Sequence, residues 1–255
     1  MLEAARNQGN VIYAIAIREM EAQYGKMQLG YFWAIAEPSI WVAMMLILHI
    51  FIKSLVGVSN MPALTFTVTG VMPYLLVVRT WQSIGTAIDG NGPLLTLPRV
   101  TPLDLVLSRS LVFLCTYGTT FVIFIVIATW IEGTWPPERP FEVIFIFICA
   151  WLFGIAVGFG TMPLIRAYPS LDHFTMFVRR TFLWTGGVWA PIVNFPTSTW
   201  PYLMMNPLFH LTELMRSAWF KSYETPTGNI GYVLAVILVL LTIGVTAERI
   251  IRRMK

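Results

Sequence analysis

The residues with most chemistry to offer lie together in Tyr24-Gly-Lys-Met-Gln-Leu-Gly-Tyr-Phe-Trp-Ala-Ile-Ala-Glu-Pro38. This stretch gathers a cation (Lys26), the rings of Tyr24, Tyr31, Phe32 and Trp33, the glycines Gly25 and Gly30, and then Glu37-Pro38 at the head of a long apolar run. Aromatic rings and a cation on the cytoplasmic side anchor a chain where it dives into a bilayer. The same groups suit an anionic headgroup, because an ammonium is a compact point charge that attracts phosphate. Both readings stand on this stretch alone.

Other chemistry is sparse. No Gly-x-x-x-x-Gly-Lys-Ser/Thr loop is present, so ATP is not held by that route, and neither His-Glu-x-x-His nor Gly-x-Ser-x-Gly occurs. His49, His173 and His210 fall in separate segments and read as packed or interfacial side chains. Cys115 and Cys149 sit within apolar runs and read as buried thiols, with no disulfide framework or metal spacing. Acid and base pairs at mid-span, the mark of a proton-driven carrier, are scarce.

The elements that position these groups follow from composition. The chain has 255 residues, 56% hydrophobic and only 12% charged, where a soluble domain carries about 25% charge. It is a membrane protein. Its net charge of +4 sits at segment ends rather than on a stripe, which argues against nucleic acid as a partner. No cleavable signal is expected at the N-terminus. Val11 to Gln23 is apolar on one side and too charged to span, so it reads as a helix in the cytoplasmic interface.

Six spans are expected, each near the roughly 20 residues a bilayer needs. They run from about Pro38 to Val58, with the proline in a first helical turn, and from Ala63 to Ile84, Leu105 to Ile131, Phe141 to Ile165, Phe174 to Val193 and Ile230 to Ala247. Gly154 and Gly158 have the spacing that lets a neighbouring helix approach closely. Leu94 to Asp104 forms a proline-spaced inner loop, and Asn194 to Asn229 a long connection of short interfacial or re-entrant helices. Basic residues cluster on one set of ends, which places both termini in the cytoplasm. The whole is one all-α polytopic domain, 1–255: an amphipathic interface segment over 1–35, a six-helix membrane domain over 36–248, and a basic cytoplasmic tail over 249–255.

Arg18-Glu19, the Tyr24-to-Pro38 stretch, the inner loop Asn91-Gly-Pro-Leu-Leu-Thr-Leu-Pro-Arg-Val-Thr-Pro102, Asn206-Pro207 and the basic tail together resemble the permeases of type-2 ABC exporters. The likeness is greatest to the branch that exports capsular polysaccharide or O-antigen, and it covers essentially the whole chain. It departs at Lys26-Met27-Gln28, where relatives carry a more basic run.

The resemblance implies an inner-membrane channel subunit rather than an enzyme. A second copy of itself would complete the conduit. A separate ATP-binding-cassette ATPase would supply the energy, with ATP and magnesium on that partner and no cofactor on this chain. A lipid-linked polysaccharide would be the cargo, membrane lipids the surroundings, and a periplasmic co-polymerase or adaptor a further partner.

It also implies roles for residues. Lys26, Arg18, Tyr31 and Trp33 would receive the lipid headgroup. Arg79, Tyr74, Trp81, Trp184 and Trp189 would touch the passing glycan, where aromatic faces give sequence-tolerant contact; an ordinary aromatic belt explains the same rings, and snorkelling explains Arg79. Glu19, Leu97, Arg99 and Asp104 would receive the ATPase, and the Asn194–Asn229 helices would form an outer gate. A drug or small-lipid exporter of the same fold, and a membrane enzyme acting on lipid-linked sugars, are the competing functions; the enzyme would need clustered acids or histidines at one membrane face.

Overall fold

The computed structural model describes residues 2–25, 30–56, 61–87, 101–133 and 137–253. These residues are helical throughout the membrane domain: α1 (Leu2–Tyr24), α2 (Gly30–Val56), α3 (Ala63–Gly85), α4 (Pro102–Glu132), α5 (Pro140–Ala167), α6 (Leu171–Thr185), α7 (Trp200–Leu203), α8 (Pro207–Trp219) and α9 (Ile230–Arg253). Five of them, α2 to α5 and α9, are long and apolar enough to cross a membrane.

α3 is the central post. Phe66, Met72, Leu75, Leu76 and Ile84 on it are fully buried, and α2, α4, α5 and α8 pack around it. Lipid tails are as apolar as these side chains, so the bundle is held by close packing rather than by escape from water. The glycine pair legible in the sequence serves this contact. A Cβ on Gly154 would lie 2.9 Å from the Val77 carbonyl oxygen, and one on Gly158 would lie 2.8 Å from the Ile84 Cβ. α5 therefore touches α3 almost backbone to backbone.

The helix ends are tied by side chains. Thr101 and Asp104 form a capping box at the start of α4, with Pro102 in its first turn. At the other end of α4, the Glu132 carboxylate accepts from the backbone N–H groups of Leu64 (2.7 Å) and Thr65 (2.9 Å). It thereby satisfies the exposed donors at the start of α3 and complements that helix dipole.

Three expectations change. α2 starts at Gly30, so Pro38 lies inside the helix rather than in its first turn; the Ser39 hydroxyl beside it donates to the Ile35 carbonyl (2.6 Å). Cys115 is exposed on the bundle surface, and only Cys149 is buried. The expected Phe174–Val193 span is a 15-residue helix, α6, that stops at Thr185. Gly187 beyond it adopts φ +70°, a left-handed turn that ends the helix although the apolar character of the sequence continues.

Candidate functional site

The cytoplasmic side is organised by α1, which lies along the first turns of α4. The Gln8 amide donates to Asp104 Oδ1 (2.8 Å), and the Ser108 hydroxyl donates to the Ile12 carbonyl (3.0 Å). Ile15 is buried with Ala87 and Leu105, and Glu19 pairs with Arg109 (2.9 Å). Positions 8, 12, 15 and 19 form one helical stripe, so α1 docks through alternating polar and apolar contacts. The sequence reading recognised the interfacial helix but not this face, because two of its four members are polar.

The residues expected to meet an ATPase divide. Leu97 and Arg99 lie outside the described residues. Glu19 and Asp104 are buried, and each is already engaged within the chain. Asp104 receives Gln8, the Thr101 hydroxyl (2.7 Å) and the Thr101 N–H (2.9 Å). Both carboxylates couple α1 to α4 rather than standing out toward solvent.

Of the residues expected at a headgroup, Lys26 and the side chain of Tyr31 lie outside the described part of the chain. Arg18 is exposed, and Trp33 is half exposed with its ring edge-on to Phe32 (6.5 Å). Arg79 turns toward α2 and pairs with Glu37. Trp81, two positions along and thus on the far side of α3, instead packs on α6, where Phe182 (5.8 Å) and the buried Arg179 guanidinium (5.6 Å) meet its ring.

Of the rings expected along a channel, Tyr74 and Trp81 are core residues. Trp184 and Trp189 stack on each other (4.9 Å, 15°), and Trp184 remains 66% exposed. Phe174 and Phe177 are also exposed on α6 and lie on the Trp184 side, with exposed Arg180 beside them. The structure thus collects an aromatic, cation-bearing stripe on α6 and removes Tyr74, Trp81 and Arg79 from it.

The outer side holds what sequence reasoning missed. α8 was legible as a short amphipathic helix, yet its charges are inside: Glu213 and Arg216 are both fully buried. The Glu213 carboxylate accepts from the Ile192 N–H (3.2 Å), from the Tyr223 hydroxyl and from the Thr225 hydroxyl (3.2 Å). Arg216 lies 3.7 Å from Glu213, donates to the Val188 carbonyl (3.1 Å) and rests on the Phe66 ring (3.9 Å). Burial lowers the Arg216 pKa to about 10, which still leaves it charged at neutral pH. Burial and the Glu213 carboxylate push the Tyr223 phenol well up, so it stays a hydrogen donor. Gly70 makes room, since a Cβ there would meet the guanidinium at 2.7 Å.

Around this pair the loops are pinned. Asn206 caps α8 by accepting from the Leu208 N–H (3.0 Å) and donates to the Thr185 hydroxyl at the end of α6 (3.0 Å). Thr212 donates to the Gly186 carbonyl (2.8 Å). His210 bridges the Met204 carbonyl (2.8 Å) and the Asn229 N–H (3.2 Å), which fixes it as the neutral tautomer protonated at Nε2. The signal in the sequence was Glu213 and Arg216 three apart among Leu208, Leu211, Met215 and Ala218, with no polar face left to solvate them. Among the described residues no group of three or more His, Cys, Asp or Glu gathers as a metal site.

No family model matches the chain. Individual proteins match it almost end to end. It is 30% identical over 256 residues to the capsule polysaccharide export inner-membrane protein CtrC of Neisseria meningitidis serogroup A, covering 95% of this chain and 91% of that one. It is 28% identical over 243 residues to the polysialic acid transport protein KpsM of Escherichia coli (93% and 92% covered). It is 24% identical over 239 residues to the capsule polysaccharide export inner-membrane protein BexB of Haemophilus influenzae (93% and 89% covered). With near-complete coverage in each case and an all-helical membrane bundle beneath it, the chain belongs to the capsule polysaccharide export inner-membrane proteins, permeases of the type-2 ABC exporter family.

Proposed function

We propose that this chain is the transmembrane subunit of an exporter that moves a lipid-anchored capsular or O-antigen polysaccharide across the inner membrane, driven by ATP hydrolysed on a separate subunit. The observation that carries the reading is the near-complete alignment with CtrC, a protein named for capsule polysaccharide export. Two copies enclose the conduit, and the exposed stripe of Phe174, Phe177, Arg180 and Trp184 on α6 faces it. Indole and phenyl faces give a moving sugar chain weak contacts that no single sugar sequence monopolises.

The sixth crossing is discontinuous in this reading: α6 continues into the turn at Gly186–Val188, which is buried. Non-helical backbone at membrane depth is tolerated only where protein covers it. Both termini are then cytoplasmic, α8 with its flanking turns forms the outer gate, and α1 with the start of α4 receives the ATPase. Lys26 and Arg18 attract the lipid headgroup from the inner leaflet.

The decisive test is co-purification with an ATP-binding-cassette subunit, followed by reconstituted export with and without ATP. Export by this chain alone against a gradient, or chemical turnover of a lipid-linked sugar, would overturn the proposal. Lys26→Ala is expected to lower surface polysaccharide several-fold while dimer and ATPase assembly persist; an unchanged surface glycan removes Lys26 from the headgroup role. Asp104→Lys breaks the α1–α4 coupling. It should leave ATP hydrolysis running while export falls by about tenfold, the scale of one charge-assisted hydrogen bond, and normal coupling counts against this face as the receiver.

A further inference from the structure

The cytoplasmic ends of α1, α2, α3 and α4 enclose a polar cleft of about 420 Å³, lined among others by Glu19, Glu37, Arg79, Gln82, Thr86 and Arg109. That volume is in the range of small-ligand sites. The cleft contains two ion pairs of different character. Arg109 and Glu19 have side chains only 11% and 9% exposed, and Arg109 also donates to the Ser83 carbonyl (2.9 Å). This pair is a fixed wall. Arg79 and Glu37 are 30% and 43% exposed, and among the described residues Arg79 donates to Glu37 alone. Exposed pairs of this kind are weak and open readily.

A guanidinium presents a planar fork that fits a phosphate as well as it fits a carboxylate. Glu37 thus stands where a phosphate oxygen would stand, and exchanging one for the other keeps the charge-assisted bonds of Arg79. The cleft opens at the inner end of α3, the level at which inner-leaflet lipids present their phosphates. Gln82 and Thr86 add an amide and a hydroxyl for ester or sugar oxygens, and the Phe113 ring at the rim is suited to the first carbons of an acyl chain.

We propose that this cleft binds the phosphate ester of an anionic lipid headgroup, with Arg79 as the gripping cation and Glu37 as the carboxylate that holds Arg79 in position and gives way to the ligand. The inference rests on the exporter reading, in which the lipid is the anchor of the polysaccharide, and it moves Arg79 from the glycan path to the headgroup.

The test uses the full chain released from detergent in native mass spectrometry, with dioleoyl-phosphatidylglycerol and dioleoyl-phosphatidylcholine as probes. The wild-type chain is expected to retain phosphatidylglycerol preferentially. Arg79→Gln should weaken that retention by about tenfold or more, the loss of one charge-assisted interaction, and Arg79→Lys should recover part of it. Glu37→Gln should tighten it, because the internal competitor is gone. Unchanged or weaker binding by the Glu37 variant, or wild-type binding by Arg79→Gln, overturns the proposal.

Inorganic phosphate is the competing source. If it displaces the lipid only at far higher concentration, the headgroup assignment stands; if it displaces it at equal concentration, the cleft is a site for free phosphate and the lipid assignment falls. Matching elution of every variant in size-exclusion chromatography shows that the fold is intact. ATP-driven export without Arg79-dependent lipid binding sinks the cleft and leaves the exporter reading; lipid binding by a complex that exports nothing does the reverse.

Discussion

Glu213→Ala destabilises the protein by about 3–5 kcal/mol, the cost of leaving one member of a buried ion pair alone, and lowers its melting temperature in detergent by on the order of 10 °C. The choice of Glu213 over Arg216 follows from the partners each would leave behind. Without Glu213, a fully buried guanidinium retains only the Val188 carbonyl and the Phe66 ring. The Ile192 N–H and the Tyr223 and Thr225 hydroxyls lose their acceptor in the same step. Without Arg216, the carboxylate still accepts from those three groups and can take up a proton.

Arg216→Met is therefore the milder single change. The pair Glu213→Gln with Arg216→Met should be less damaging than Glu213→Ala, because the amide keeps an acceptor for Ile192 and no net charge remains buried. Melting followed by fluorescence-detected size-exclusion chromatography measures all three. A Glu213→Ala chain that melts with the wild type would show that the buried pair does not hold α8 in place.

Gly154→Val comes second, at about 1–3 kcal/mol, the usual range for overpacking. The new Cβ meets the Val77 carbonyl oxygen at 2.9 Å and the Val77 Cα at 3.1 Å. Both are backbone atoms, so no rotamer change relieves the clash and α5 must move away from α3. Gly160→Ala is the matched control on the same helix, since the nearest atom there is the Leu240 carbonyl oxygen at 3.7 Å. A Gly154→Val protein as stable as Gly160→Ala would mean that α3 and α5 do not depend on close approach.

Much of this frame could be read from the residues in order. Apolar runs of bilayer length marked α2 to α5 and α9, and the four-residue spacing of Gly154 and Gly158 marked a helix contact without naming its partner. Three features resisted. Pro38 looked like a first-turn residue because the helix gains its opening turns from Gly30 to Glu37, where polar and aromatic residues mask the period. α6 looked like a span because Gly186 to Ile192 remains apolar; only backbone geometry, a left-handed turn at Gly187, ends it. Glu213 and Arg216 read as surface charge because burial of an ion pair depends on Phe66, Val188, Ile192 and Tyr223, which are remote in sequence. The charged cleft was invisible for the same reason: Arg79 and Arg109 were legible as cations at inner ends, but their carboxylates come from other helices.

The fourth helix has 31 residues without an internal proline, a rod about 46 Å long at 1.5 Å per residue. Its first turns are bolted to α1 at Asp104, Ser108 and Arg109, and its last residue, Glu132, grips the start of α3. A shove on α1 from the cytoplasm has no soft joint in which to dissipate on its way along that rod, so it arrives at the periplasmic rim as a displacement of the central post itself.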